Sequence, residues 1–337
     1  MTKTTKAYIL FATICIAATL LVGCQGCRKH YTVVEDTALG TFVQVKCSPT
    51  INQVELSELI RNIDTEAKKS MSIFEQGSLL SKINRNECDS LDSHIIANLN
   101  LAKCYYELSN GYYDVTVKPL TSAWGFAAKS EKRSNPNIDS LLEFVGFNKI
   151  AINNHRITKS DCRIQIDLNS IAKGYVVDLV AEALAERGVE SYMVNIGGEI
   201  RCKGMNPEGK EWHIGIETPY EGNFEQNSLE KIIPVSNCAV ATSGNYRRYY
   251  TSEGGLKVCH TINPKTGYSV HSNLLSATVI APTCAEADAA ATMFMAMGSE
   301  GGALELAKQC EKDYGWGYYF IYADKQGYKV EASERFR

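Results

Sequence analysis

The 337-residue sequence predicts an α+β fold with largely antiparallel sheets packed against helices. Three observations lead there. Helical and strand-like patterns are interleaved without the regular βαβ rhythm of a parallel sheet. No repeat or low-complexity linker divides the body. The composition, 45% hydrophobic and 22% charged, is that of a folded globular protein and disfavours disorder, collagen and coiled-coil arrays.

In chain order, residues 31–47 alternate apolar and polar side chains and read as strands broken at Leu39-Gly40-Thr41. A helix follows over about 52–69, with Leu56, Leu59, Ile60 and Ile63 on one face. A second, over 93–110, carries Ile95, Leu99, Ala102 and Tyr105 on its apolar stripe and stops at Gly111. A third, over about 170–187, carries Ile171, Tyr175, Leu179 and Ala183 and ends at Gly188. Strand-like runs occupy 163–166, 192–196, 212–216, 258–262, 276–280 and 318–322, and a helix of small residues around Asp288 follows the fifth of these.

The address lies at the N-terminus. Lys3 and Lys6 precede an uncharged stretch over 7–23, the pattern of an export signal and slightly short for a spanning helix. It ends in Leu21-Val22-Gly23-Cys24, which resembles a bacterial lipobox. That resemblance implies a signal peptide over 1–23, a lipid on Cys24, a tether over 24–30 and one domain over 31–337. An uncleaved N-terminal anchor is the alternative, and both place the body outside the cytoplasm on a membrane.

Charge and cysteines narrow the partners. The 35 basic and 38 acidic residues nearly balance, and losing the leader removes only two lysines. No basic surplus exists to neutralise a phosphate polymer, so no nucleic-acid partner is expected. Of the twelve cysteines only Cys24 and Cys27 form a C-x-x-C pair, and the lipid would occupy the first. Zinc-ribbon and thioredoxin-like readings fail on spacing, and most of the remaining cysteines read as small buried hydrophobes. The P-loop, G-x-G-x-x-G, H-E-x-x-H and G-x-S-x-G motifs are all absent.

Four polar clusters remain. In Asp167-Leu168-Asn169-Ser170-Ile171-Ala172-Lys173 a strand runs into a helix, with capping residues at Asn169 and Ser170 and a lysine in the first turn. Such a helix start suits a phosphate or other anion, or is an ordinary capped helix. Asp288 and Thr292, four apart on one helix face, offer two hard oxygen ligands of the kind Mg²⁺ takes alongside phosphates, or form a solvated face. Thr242-Ser243-Gly244 and Asn263-Pro264-Lys265-Thr266-Gly267 read as polar turns flanking His260, which closes a strand in either a structural or a reactive role. Tyr112-Tyr113-Asp114, with Trp124-Gly125-Phe126 just after, suits a flat heterocycle or forms a hydrophobic corner with an Asx turn.

Together these segments, with Leu39-Gly40-Thr41, Met71-Ser72-Ile73-Phe74, Ser78, Asn84 and Asn195-Ile196-Gly197-Gly198, resemble the ApbE family of FAD:protein FMN transferases from about Thr37 to Gly298. The resemblance implies a T-fold-like α+β architecture and transfer of FMN from FAD, through its phosphate, to a threonine or serine hydroxyl of an acceptor protein, with release of AMP. Leu39, Phe74, Tyr112, Tyr113, Asp114, Asp167, Lys173 and Ile262 would fall at the FAD pocket. Ser170, Asp288 and Thr292 would hold Mg²⁺, with His260 and Lys173 as catalytic groups beside the phosphates. Acceptors would be subunits of membrane electron-transport complexes, met by an enzyme anchored through its lipid and facing the periplasm, with the inner membrane favoured. Departures are Leu39 where methionine is usual, Lys118 and Asn169 where glycine is usual, and Asn263 for aspartate before Pro264. An FAD pyrophosphatase giving free FMN and AMP, and a non-catalytic FAD-binding lipoprotein, are the alternatives.

Overall fold

The computed structural model describes residues 30–126, 136–219, 229–245, 249–251, 255, 257–325 and 327–336. The leader, Cys24, Cys27 and the tether up to residue 29 lie outside the described residues. The first half of the chain runs β1 (Thr32–Ala38), β2 (Thr41–Ser48), α1 (Gln53–Met71), α2 (Leu79–Asn84), α3 (Ser93–Leu108), α4 (Lys118–Ala123), α5 (Ile138–Leu142), β3 (Ile150–Asn153), β4 (Arg156–Lys159), α6 (Ala172–Glu186), β5 (Ser191–Ile196) and β6 (Glu199–Lys203). The second continues with β7 (Trp212–Glu217), β8 (Leu229–Val235), β9 (Cys238–Gly244), β10 (Tyr249–Thr251), β11 (Lys257–Cys259), β12 (Leu274–Ala281), α7 (Cys284–Met297), α8 (Ala303–Tyr314), β13 (Gly317–Asp324) and β14 (Gly327–Ala332).

Eight strands form one sheet in the order β1-β2-β5-β6-β9-β12-β13-β14, and every neighbouring pair is antiparallel. Its two faces follow the period-two alternation of strand side chains. Val194, Ala239, Ala241, Val279 and Phe320 point into the main core, which they share with α1, α3, α6 and α7. Met193, Cys238, Val240, Ile280 and Ile321 point the other way, onto Trp212, Ile214, Ile216 and Ile233 of the antiparallel β7–β8 ribbon. Helices therefore cover one face of the sheet and the ribbon covers part of the other.

Local chemistry fixes the joints. Leu39 and Gly40, with φ of 51° and 74°, make the two-residue turn that returns β1 onto β2. Gly197 and Gly198, at 67° and 107°, do the same between β5 and β6. Asn52 caps α1 through the Val54 amide at 2.8 Å. Thr283 and Glu286 close a reciprocal capping box on α7.

The structure corrects four local expectations. Residues 163–166 form no strand beyond a single bridge from Gln165 to Val117. Asn84 explains this, since its side chain takes both the Ile166 N–H, at 2.7 Å, and the Ile166 carbonyl, at 2.8 Å, leaving neither for a ladder partner. Helix α6 begins at Ala172, with Ser170 in the preceding turn and no side-chain cap. Strand β11 stops at Cys259, whose N–H donates to Ser269 Oγ at 2.8 Å. Thr242-Ser243-Gly244 is not a turn but the end of β9, in register with Thr278, Ala277 and Ser276 of β12. Six described cysteines are buried as expected, whereas Cys104 and Cys162 are exposed and Cys88 is half-buried, and no disulfide joins the described cysteines.

Candidate active site

A cavity of about 800 Å³ is lined by residues of α1, α6 and α7, of the sheet strands β5, β6 and β9, and of β7 in the ribbon. All twelve predicted FAD, metal and catalytic residues line it, although they span the chain from Leu39 to Thr292. Cys24, the predicted lipid site, lies outside the described residues.

The floor is built where α6 meets α7. Gly174 makes the approach possible, because a Cβ there would stand 2.3 Å from the Cys284 carbonyl oxygen. Its amide, in the first turn of α6, donates to Asp288 Oδ2 at 3.0 Å. The anion expected at this helix start is thus, in part, the protein's own carboxylate. Burial is the largest influence on Asp288 and raises its pKa to about 7, against the opposing pull of the Lys173 ammonium. Lys173 donates to Glu199 Oε1. Burial works against its ammonium, but Asp288 and Glu199 outweigh that and raise its pKa above the ordinary lysine value. The other oxygen of Glu199, Oε2, is buried and has no hydrogen-bond partner among the described residues. Thr292 lines the cavity one helical turn beyond Asp288.

Ser170 meets the floor from the turn before α6, its Oγ 2.9 Å from the Tyr113 hydroxyl. Burial is the main reason that the Tyr113 pKa lies far above the ordinary phenol value, so this hydroxyl keeps its proton. Tyr112 lies under Lys265, whose Nζ is 4.5 Å from the ring centroid. Asp114 lines the cavity, yet its carboxylate is committed to the protein. Oδ1 accepts from the Thr116 amide and hydroxyl, at 2.7 and 2.6 Å, and Oδ2 accepts from the Phe147 amide at 2.9 Å. Here the Asx-turn reading describes the contacts seen. Asp167 Oδ1 accepts the Asn169 amide at 2.9 Å, shaping the turn that presents Ser170.

The remaining groups form the rim. The Leu39 amide donates to Asp64 Oδ1 at 2.7 Å, which holds that left-handed residue in place. Ser72 Oγ accepts the Phe74 and Glu75 amides at 3.1 and 3.2 Å, and the Phe74 ring stands exposed at the mouth. Opposite, the Trp124 indole donates to the Gly267 carbonyl at 2.8 Å, tying Trp124-Gly125-Phe126 to the loop that follows His260. The Phe126 ring meets the His260 imidazole edge-on, 6.4 Å between centroids. Ile262 is buried between Leu120, Ile138 and Val145 beneath that loop.

The donor set fits a divalent cation. Asp288, Thr292 and Ser170 supply hard oxygens, Glu199 has a spare buried oxygen, and the carboxylates outnumber the ammonium. Among the described residues no three His, Cys, Asp or Glu side chains form a metal-holding set by themselves. The sequence reading missed Glu199 as a cavity-lining group. An acid directly after the Gly197-Gly198 turn was the available signal for it.

The profile of the ApbE family matches residues 39–315. An FAD:protein FMN transferase of Haemophilus influenzae is 34% identical over 96% of both chains. One of Vibrio cholerae is 33% identical over 94% of this chain and 95% of its own. Among solved structures, the flavin transferase ApbE of Vibrio cholerae superposes with a TM-score of 0.81 at 29% identity, covering 91% of this chain and 98% of that one. The apo flavinyl transferase ApbE of Pseudomonas stutzeri gives 0.80 at 27% identity, covering 91% and 96%.

Proposed function

Because the chain belongs to the ApbE family, we propose that it is an FAD:protein FMN transferase, moving FMN from FAD to a threonine or serine hydroxyl of an acceptor protein and releasing AMP. The observation that carries this reading is the convergence in one cavity of a carboxylate, hydroxyls and an ammonium at the floor with aromatic rings at the rim. The isoalloxazine would lie among Leu39, Phe74, Tyr112 and Tyr113, with Ile262 bounding the pocket. The pyrophosphate would face Lys173, Ser170 and the α6–α7 floor.

The acceptor oxygen forms a bond to the phosphorus on the FMN side, the pyrophosphate bond breaks, and AMP departs with the bridging oxygen. The hydroxyl proton passes to His260. Such a transfer depends on charge neutralisation and alignment more than on a protein nucleophile. Lys173 and the amides at the start of α6 contribute to the first, and the aromatic rim contributes to the second. Mg²⁺ would be held by Asp288, Thr292 and Ser170, and supplies charge neutralisation on the phosphate oxygens when bound.

The leader belongs to the same proposal. Processing at Cys24 would place the enzyme on the envelope membrane facing the periplasm, inner membrane favoured, where subunits of electron-transport complexes are its acceptors. The pattern of Lys3, Lys6 and the apolar stretch over 7–23 supports that address.

The test incubates the protein with FAD, Mg²⁺ and a candidate acceptor, following in-gel flavin fluorescence together with AMP and FMN in solution. Fluorescent acceptor with AMP is expected. Free FMN with AMP identifies a hydrolase, and unchanged FAD a binding protein. In the same assay Asp288→Ala is expected to remain folded and to lose metal-dependent transfer; full activity in that variant overturns the metal assignment.

A further inference from the structure

We propose that Glu199 belongs to the divalent-cation pocket, holding Lys173 with one carboxylate oxygen and facing the cation with the other. Its backbone position is set by the hairpin, since it opens β6 directly after the Gly197-Gly198 turn and pairs with Ile196. The residue is 4% exposed and lines the cavity together with Lys173 and Asp288. Oε1 accepts the Lys173 ammonium. Oε2, also buried, has no hydrogen-bond partner among the described residues.

An unpaired buried carboxylate oxygen is costly, and a fold retains one where a ligand completes it. Lys173 does not require it. An amide at this position would accept the same bond through its carbonyl oxygen and add no charge. Glu199 and Asp288 set two carboxyl groups against one ammonium in a buried site that must also receive an anionic pyrophosphate. A buried acid oxygen left over beside phosphate oxygens is the environment that a divalent cation with oxygen ligands satisfies.

The inference rests on the proposal that Asp288 and Thr292 hold the cation, and Mn²⁺ binding tests the two separately. Free Mn²⁺ is titrated by electron paramagnetic resonance into the full chain without FAD, alongside Glu199→Gln and Asp288→Asn, with circular dichroism to check folding. Glu199→Gln keeps an acceptor for Lys173 and presents an NH₂ group where the free oxygen was. It is expected to bind Mn²⁺ at least tenfold more weakly, and to raise the half-saturating Mg²⁺ concentration for transfer while kcat recovers at high Mg²⁺.

Wild-type Mn²⁺ affinity in Glu199→Gln, with binding lost in Asp288→Asn, overturns the role of Glu199 and leaves the Asp288 site standing. Unchanged affinity in both variants removes the cation site as well. Should Glu199→Gln not fold, Glu199→Asp withdraws the same oxygen by one methylene. A threefold or greater loss of Mn²⁺ affinity there supports the inference, and unchanged affinity refutes it.

Discussion

Gly174 holds together two tasks, close packing of α6 on α7 and donation of an amide to Asp288. A methyl group there meets the backbone carbonyl of Cys284, an obstacle that no rotamer change removes. Gly174→Ala is therefore expected to lower stability by about 1–3 kcal/mol and to weaken cation binding, read from urea midpoints and Mn²⁺ titration on one preparation. In the same cavity the Tyr113 hydroxyl bonds Ser170. Tyr113→Phe is expected to cost about 0.5–1.5 kcal/mol, measured the same way. Legibility differs between such residues for a physical reason. Asp288 and Thr292 stand out in sequence because helical spacing puts them on one face. Glu199 does not, because strand pairing delivers it to the cavity.

Among the helices, α6 and α7 are joined by a cap that comes from another element. Asp178 of α6 is buried and accepts the first amides of α7, from Cys284 and Ala285, at 2.9 and 2.8 Å, while pairing with Arg201 at 2.8 Å. Asp178→Ala leaves those donors unsatisfied and is expected to cost about 1–3 kcal/mol, with a matching fall in the urea midpoint. Burial, the largest influence, raises the Asp178 pKa above the ordinary carboxyl value. The folded protein then keeps a proton that the unfolded chain releases near pH 4. Stability contributed by that proton is full at lower pH and is lost as pH rises through the folded pKa. Asp178→Asn is expected to flatten this falling limb in urea midpoints taken between pH 4 and 8. The amphipathic helices were readable at this scale, α1 and α3 within one or two residues at the ends. The strand expected over 163–166 was not there because Asn84, some eighty positions away, takes its hydrogen bonds.

Over the whole molecule, period-two alternation and the lack of a βαβ rhythm were enough for the α+β class and the antiparallel sheet. The strand order was hidden, since it depends on pairings such as β6 with β9 that no local pattern encodes. Strand β9, Cys-Ala-Val-Ala-Thr-Ser-Gly, was also hard to see, because small residues buried on both faces give no alternation. The site spans both halves of this sheet, so binding and folding are linked. FAD at about a hundred times its dissociation constant is expected to add about 2.7 kcal/mol of stability, seen as a shift in the urea midpoint that Asp288→Ala diminishes if the cation anchors the pyrophosphate.

Strands β6 and β9 meet only where Ile200, Arg201 and Cys202 face Val240, Ala239 and Cys238. This short seam joins a four-stranded half containing β1, β2, β5 and β6 to another containing β9, β12, β13 and β14. Ile200 and Val240 also line the cavity. Substrate seated in the cavity would act as a bolt across the place where the sheet has least to hold it. Amide protons along that line should be the first to exchange with deuterated solvent in the empty enzyme and among the most strongly slowed once the flavin nucleotide is seated.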